Sequence, residues 1–266
     1  NRIVGNLQIM RFLKVSVDLI IDEKVKQDFL NDIKKSFNFE NFISKKVNNF
    51  SYKKNDSEIS KEDILIKNID LKINKNEKIG IIGPSGAGKS TLLDIFSGLI
   101  VLKKDSVFVD DKSIYSNTKG WQKIIGYVPQ KTFIIEDTLK NNILFGIDEK
   151  KISDSFFNEI LQKSNLLNLV NRLPKGVDTV IKEEGHNFSG GEIQRIGLAR
   201  AFIRKPEVLI LDEATSSLDS KNENEIIQDL LKINNLTIVS VTHRLSALNN
   251  FNKIYSLDKG SLSLVK

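Results

Sequence analysis

Residues 79–91 read Ile-Gly-Ile-Ile-Gly-Pro-Ser-Gly-Ala-Gly-Lys-Ser-Thr, and Leu92-Leu93-Asp94-Ile95-Phe96 follows. An apolar run, then Gly-x-x-x-x-Gly-Lys-Ser, then a helical pattern is the order of a phosphate-binding loop between a buried strand and a helix. Gly83, Gly86 and Gly88 let successive backbone amides turn inward around an anion, with Pro84, Ser85 and Ala87 completing the turn. The helix start adds its dipole and unpaired first-turn amides. Lys89 supplies a mobile charge for the terminal phosphates, Ser90 a hydroxyl for Mg²⁺, and Thr91 a neighbouring hydroxyl.

A loop of this kind needs an acidic partner on an adjacent strand. Val208-Leu209-Ile210-Leu211 is apolar without alternation, as in a strand buried on both faces, and Asp212-Glu213 stands where it emerges. Asp212 suits outer-shell coordination of Mg²⁺, and Glu213 is placed to orient or deprotonate water. A second buried run, 237–242, delivers His243 to the same edge, and residues 124–128 deliver Gln130. Helical patterns cover 138–145, 153–169 and 190–204. Asn187-Phe188-Ser189-Gly190-Gly191-Glu192 is a small-residue turn opening the last of these, a second place where an anion meets exposed amides. Two anion sites with only one lysine-bearing loop point to pairing of two copies.

Composition narrows the chemistry. The 266 residues include no cysteine and two histidines, His186 and His243, which excludes thiolate and multi-histidine metal sites. The net charge of +6 is spread along the chain, with no aromatic-interleaved basic stripe, so no nucleic-acid partner is expected. No window has eighteen consecutive apolar residues. Residues 1–45 differ from the rest: Ile3, Leu7, Met10, Val17 and Ile21 fall near one helical face, and Val25, Phe29 and Ile33 continue it. Either this helix packs on its own domain, or it is the cytoplasmic end of something longer. A β-like region is expected from Phe50, further strands over 64–73 and 124–128, and a hairpin at Val107-Phe108-Val109 with the Asp110-Asp111 turn.

Taken together, these stretches resemble the nucleotide-binding domain of ABC transporters. Residues 83–90 are similar to Walker A, Gln130 to the Q-loop, Ser189-Gly190-Gly191-Glu192 to the signature motif, 208–212 to Walker B, Ser217-Leu218-Asp219 to the D-loop, and His243 to the switch histidine. The signature departs from the family pattern at Phe188, usually leucine, and Glu192, usually glutamine. The segment 50–52, with Tyr52 as the adenine-stacking aromatic, the stretch after Gln130, and 178–185, with Glu183 as a cross-subunit acid, resemble the exporter branch.

The resemblance implies an α/β fold: a phosphate-loop NTPase core of RecA type with an antiparallel β subdomain and an α-helical subdomain. It divides the chain into 1–45, the cytoplasmic end of a transmembrane domain with its linker, and 46–266, the cassette. It implies ATP and Mg²⁺ as ligands, ATP hydrolysis coupled to export or lipid flipping, and head-to-tail pairing with a second cassette in a homodimer or a paired half-transporter. Each ATP would lie between one phosphate loop and the partner's Ser189-Gly190-Gly191. The roles implied are Glu213 as general base, His243 on the γ-phosphate, Gln130 and Ser90 on the metal, and Asp219 among the nucleotide-binding residues. The location implied is the cytoplasmic face of a bacterial inner membrane, with attachment through a transmembrane domain. The alternative is a soluble ABC ATPase acting on nucleic acid or ribosomes; too short a stretch separates Ser90 from Ser189 for the long coiled-coil arms of its DNA-repair form.

Overall fold

The computed structural model of the chain describes residues 37, 39–50, 66–102, 106–182, 185–215 and 220–266. Its strands are β1 (Phe42–Phe50), β2 (Ile66–Asn74), β3 (Lys78–Ile82), β4 (Val107–Val109), β5 (Lys112–Ser113), β6 (Ile125–Val128), β7 (Asp137–Thr138), β8 (Val180–Ile181), β9 (Val208–Asp212), β10 (Thr237–Val241), β11 (Lys253–Asp258) and β12 (Ser261–Leu264). The helices are α1 (Lys89–Phe96), α2 (Thr118–Lys123), α3 (Leu139–Ile143), α4 (Asp154–Lys163), α5 (Leu167–Arg172), α6 (Gly190–Phe202) and α7 (Ser220–Leu231).

Ten strands form one sheet in the order β5-β4-β1-β2-β12-β11-β3-β10-β9-β6. From β11 to β6 every neighbouring pair is parallel, with Ile238 opposite Lys78, Thr237 opposite Val208 and Ile125 opposite Val208. The apolar runs belong here because β9 and β10 are buried along their whole length, and only a side chain acceptable on both faces fits. Parallel register also brings the ends of β3, β6, β9 and β10 to one edge. The rest of the sheet is mainly antiparallel, with β1 between β2 and β4. The β4–β5 hairpin turns through Asp110 and Asp111 at φ 47° and 64°, the double positive φ that matches strand twist. The Asp110 carboxylate accepts from the Glu40 and Phe42 amides at 2.7 and 2.9 Å and so secures the entry to β1.

The two faces of the sheet have separate cores. One packs α1 and α2, with Trp121 edge-on to Phe96 and Phe37 and its indole N–H donating to the Phe96 carbonyl at 2.8 Å. The other packs α3 to α7 through Phe157, Ile160, Leu161, Ile196, Ile226 and Ile227 among others. The fold is thus of mixed α/β type, with a parallel core, an antiparallel β part and a helical layer, the architecture that the sequence resemblance implies.

The sequence reading needs correction in three places. Phe42–Phe50 is a strand that ends at Phe50, so residues 42–45 belong to the sheet and not to a helical segment 1–45, and Phe37 and Phe39 are already core. The expected helix 153–169 divides into α4 and α5, because Asn165 takes φ 53° and Leu166 N donates back to the Leu161 carbonyl. The helix expected from Thr138 starts one residue later, since Thr138 is its cap and its hydroxyl accepts from Asn141 N at 3.0 Å.

Candidate functional site

The phosphate loop leaves β3 over the sheet edge. A Cβ at Gly83 would lie 2.2 Å from the Leu257 carbonyl oxygen, so the loop can cross β11 this closely only with glycine there. Gly88 caps α1 at φ 95° and offers no side chain to its first-turn amides, which are left for an external acceptor. Pro84, Ser85 and Gly86 are exposed, Ala87 is buried beneath them, and Ser90 and Thr91 are half-buried. Lys89 is 5% exposed, with Nζ donating to the carbonyls of Gly83 and Pro84 at 2.9 Å each.

Asp212 closes β9 beside this loop. Its Oδ1 accepts from Ser90 Oγ at 3.1 Å and its Oδ2 from the Tyr127 hydroxyl at 2.8 Å. Burial holds the Asp212 carboxyl above the usual carboxylate range, with the Glu213 charge adding to this and the two hydroxyl bonds opposing it. Burial, and then the Asp212 charge, push the Tyr127 phenol well above its ordinary value, so Tyr127 stays a donor. Among the described residues no group of three or more His, Cys, Asp or Glu could hold a metal. The donors present, one carboxylate and one hydroxyl oxygen, fit Mg²⁺, which takes few protein ligands and fills its shell with phosphate oxygens and water.

Glu213 follows in the left-handed region at φ 49°, unusual for a residue with a side chain, and its N–H donates to the Val241 carbonyl at 3.0 Å. That turn points its carboxylate at three groups. Oε2 accepts from Gln130 Nε2 at 3.0 Å, Oε1 lies 2.6 Å from His243 Nε2, and Lys89 Nζ is 3.6 Å from Oε1. The structure therefore brings Lys89, Ser90, Gln130, Asp212, Glu213 and His243 to one place. The hydrogen bond of Gln130 goes to Glu213, not to Ser90 or Asp212.

Ser189-Gly190-Gly191-Glu192 sits elsewhere. Ser189 caps α6 in a capping box: its hydroxyl accepts from Glu192 N at 3.3 Å, and Glu192 Oε2 accepts from Ser189 N at 2.8 Å. Arg172 from α5 donates to the other Glu192 oxygen at 2.7 Å. Ser189 and Gly190 are exposed and Phe188 is buried beneath them. Among the described residues no hydrogen bond or ion pair joins this turn to residues 83–90 of the same chain. It is tied to the rest of the site through Gln194, 4% exposed, whose amide donates to the Gln130 carbonyl at 3.0 Å and accepts from Thr132.

Tyr52, Glu183 and Asp219, with Ser217 and Leu218, lie outside the described residues. Three site residues escape the sequence reading: Tyr127, Gln194 and Glu223. Tyr127 passes for an ordinary strand aromatic, although its position three residues before Gln130 on the strand next to Asp212 is a signal. Gln194 and Glu223 are polar residues on otherwise apolar helix faces; Glu223 precedes Ile226, Ile227 and Leu230 at spacings of three, four and seven.

A family model described as ABC transporter matches residues 66–216. A protein of Rickettsia typhi named as an export ATP-binding/permease protein is 40% identical over 200 residues, covering 74% of this chain and 34% of the relative. An ABC multidrug transporter of Aspergillus fumigatus is 35% identical over 204 residues, covering 76% of this chain and 15% of the relative. The solved structure of a bacterial Atm1-family ABC exporter with ATP bound is similar at a TM-score of 0.74 and 26% identity, covering 86% of this chain and 39% of that one. The chain spans about a third of the length of the Rickettsia relative.

Proposed function

The chain belongs to the ABC transporter family, and we propose on that footing that it is the ATP-binding and ATP-hydrolysing cassette of an exporter, powering substrate export or lipid flipping. The observation that carries this reading is the single carboxylate of Glu213 facing Lys89, Gln130 and His243 beside the Ser90–Asp212 pair. A proton acceptor, a cation, two orienting groups and a pair of metal-compatible oxygens share one sheet edge, which is what in-line phosphoryl transfer to water requires.

The triphosphate of ATP seats on the amides of the loop and of α1, and Lys89 exchanges its two carbonyl partners for phosphate oxygens. Ser90 and Asp212, with Gln130, would hold Mg²⁺, which would supply charge neutralisation for the phosphates. Glu213 accepts the proton of the attacking water as the bond from the γ-phosphorus to the bridging oxygen breaks. His243, joined to Glu213, holds that carboxylate in line and contacts the γ-phosphate. Tyr52 stacks on the adenine and Asp219 belongs to the nucleotide-binding set.

Ser189, Gly190, Gly191 and Glu192 serve the ATP of a second cassette, identical or from a paired half-transporter. The exposure of Ser189 and Gly190, and the lack among the described residues of a bond from this turn to the loop of its own chain, support head-to-tail pairing. Among the described residues no helix is long and apolar enough to cross a membrane. In this reading a transmembrane domain attaches the cassette to the cytoplasmic face of a bacterial inner membrane, and the residues before Phe37 lead to it.

The test is Mg²⁺-dependent ATP hydrolysis against protein concentration, with size-exclusion chromatography of Glu213→Gln in ATP. A rate rising faster than linearly and a dimer formed only with ATP are expected. A rate linear in concentration without an ATP-induced dimer overturns the paired-cassette mechanism.

A further inference from the structure

Glu223 is a carboxylate 1% exposed, in the first turn of α7, and the function proposed above does not use it. Its two oxygens go to two different places. Oε1 accepts from Thr215 Oγ1 at 2.7 Å, and Oε2 accepts from Arg244 Nη1 at 2.7 Å. Thr215 stands two residues beyond Glu213, and Arg244 one residue beyond His243.

The sheet does not hold these segments by itself. The β9–β10 ladder stops at Asp212 opposite Val241, and the last backbone bond between the segments is Glu213 N to the Val241 carbonyl. Past that point no backbone bond joins the acid-bearing turn to the histidine-bearing turn among the described residues; the latter has its last sheet bond from Thr242 N to the Ile81 carbonyl of β3 at 3.2 Å. Thr242 Oγ1 accepts from Arg244 N at 3.1 Å, which shapes the turn around His243 but does not fix it to the neighbouring segment. Arg244 is itself only partly exposed and Thr215 is buried, so a carboxylate between them has little water to turn to. Removing either partner would leave a buried charge short of donors, so the network favours one arrangement of both turns.

We propose that Glu223 is a positioning residue that clamps the turn carrying Glu213 to the turn carrying His243, through Thr215 and Arg244, and so sets the 2.6 Å contact between the two site residues. It touches neither substrate nor metal and acts through His243. The proposal rests on the cassette reading for its effect on hydrolysis, whereas its geometric content stands without it.

The test uses the whole chain and two readouts. The first is the imidazole NMR spectrum: with only His186 and His243 present, each ring is followed singly. In Glu223→Gln the His243 signals are expected to shift or broaden with no nucleotide added while those of His186 stay. The second is kinetic. Glu223→Gln should lower kcat about tenfold with the Kd for a non-hydrolysable Mg–ATP analogue within twofold, and should cost nothing further in a His243→Ala background. If Glu223→Gln does not fold, Thr215→Val, which deletes one arm and keeps the shape, is read the same way. An unmoved His243 spectrum, or an equal fold-loss of kcat with and without His243, overturns the clamp. A parent chain that hydrolyses no ATP overturns the cassette reading and leaves the spectrum to decide the clamp.

Discussion

His243 Nε2 lies 2.6 Å from Glu213 Oε1, across the ends of two parallel strands whose residues are paired up to Val241 and Asp212. Because Gln130 holds the other oxygen of the same carboxylate at 3.0 Å, Glu213 enters the reaction already oriented. Glu213→Gln keeps the shape and the φ of the turn but cannot take a proton. Its hydrolysis rate is expected to fall about 100-fold or more, with nucleotide affinity retained. Single-turnover hydrolysis alongside equilibrium binding measures both; a variant that still turns over at a tenth of the parental rate would remove Glu213 as the base.

Lys89 rests on the carbonyls of its own loop. Lys89→Ala should weaken ATP binding at least tenfold, about 1.4 kcal/mol. It should also lower the stability of the nucleotide-free chain by about 1 kcal/mol, since the Gly83 and Pro84 carbonyls lose a charged donor. Fluorescent-nucleotide titration and urea unfolding check the two effects, and unchanged ATP affinity would count against the loop as the phosphate seat.

Much of this site is legible in the sequence because its parts hang on strands that must read as unbroken apolar runs. Val208–Asp212 and Thr237–Val241 have nowhere to be but the interior of a parallel sheet, so Asp212, Glu213 and His243 had to emerge at a common edge. Phe42–Phe50 is not legible in this way. It reads Phe-Ile-Ser-Lys-Lys-Val-Asn-Asn-Phe, and it is a strand because β2 and β4 pair with it on both sides, a tertiary cause that no local pattern records. The break at Asn165 is hidden for the opposite reason: apolar spacing continues through 153–169 while one residue in the left-handed region redirects the chain. Tyr127 and Glu223 escape because a polar atom at a buried position announces itself only once its partner across the fold is known.

Tyr127 donates to Oδ2 of Asp212 and Ser90 to its Oδ1, so the two hydroxyls together fix the plane of the carboxylate. Tyr127→Phe retains the ring and its packing but lets the carboxylate rotate. ATP affinity measured in EDTA should stay within twofold of the parent, while the apparent Mg²⁺ affinity in the presence of nucleotide falls about tenfold, ~1.4 kcal/mol. Equal losses with and without Mg²⁺ would show that the phenol serves packing alone.

The last expectation concerns what this site costs the fold. Burial, with Glu213 adjacent, raises the Asp212 carboxyl above its ordinary value in the native chain, although Tyr127 and Ser90 pull the other way. A carboxyl with a higher pKa folded than unfolded binds more protons in the native state, so stability falls as pH rises through the window between the two values. At neutral pH, above the unfolded value of about 3.9, the charged carboxylate therefore works against folding. Asp212→Asn removes that charge, and whichever of the Ser90 and Tyr127 hydroxyls faces its amide nitrogen can turn to accept while the other still donates to its amide oxygen. The nucleotide-free variant should unfold at a higher temperature than the parent at pH 7, by roughly 2–4 °C for about 1 kcal/mol. That advantage should shrink as pH is lowered through the window, and Mg²⁺ should no longer strengthen nucleotide binding. Thermal unfolding across pH decides it: a variant no more stable than the parent at pH 7 would mean that the hydroxyl bonds fully offset the burial of Asp212.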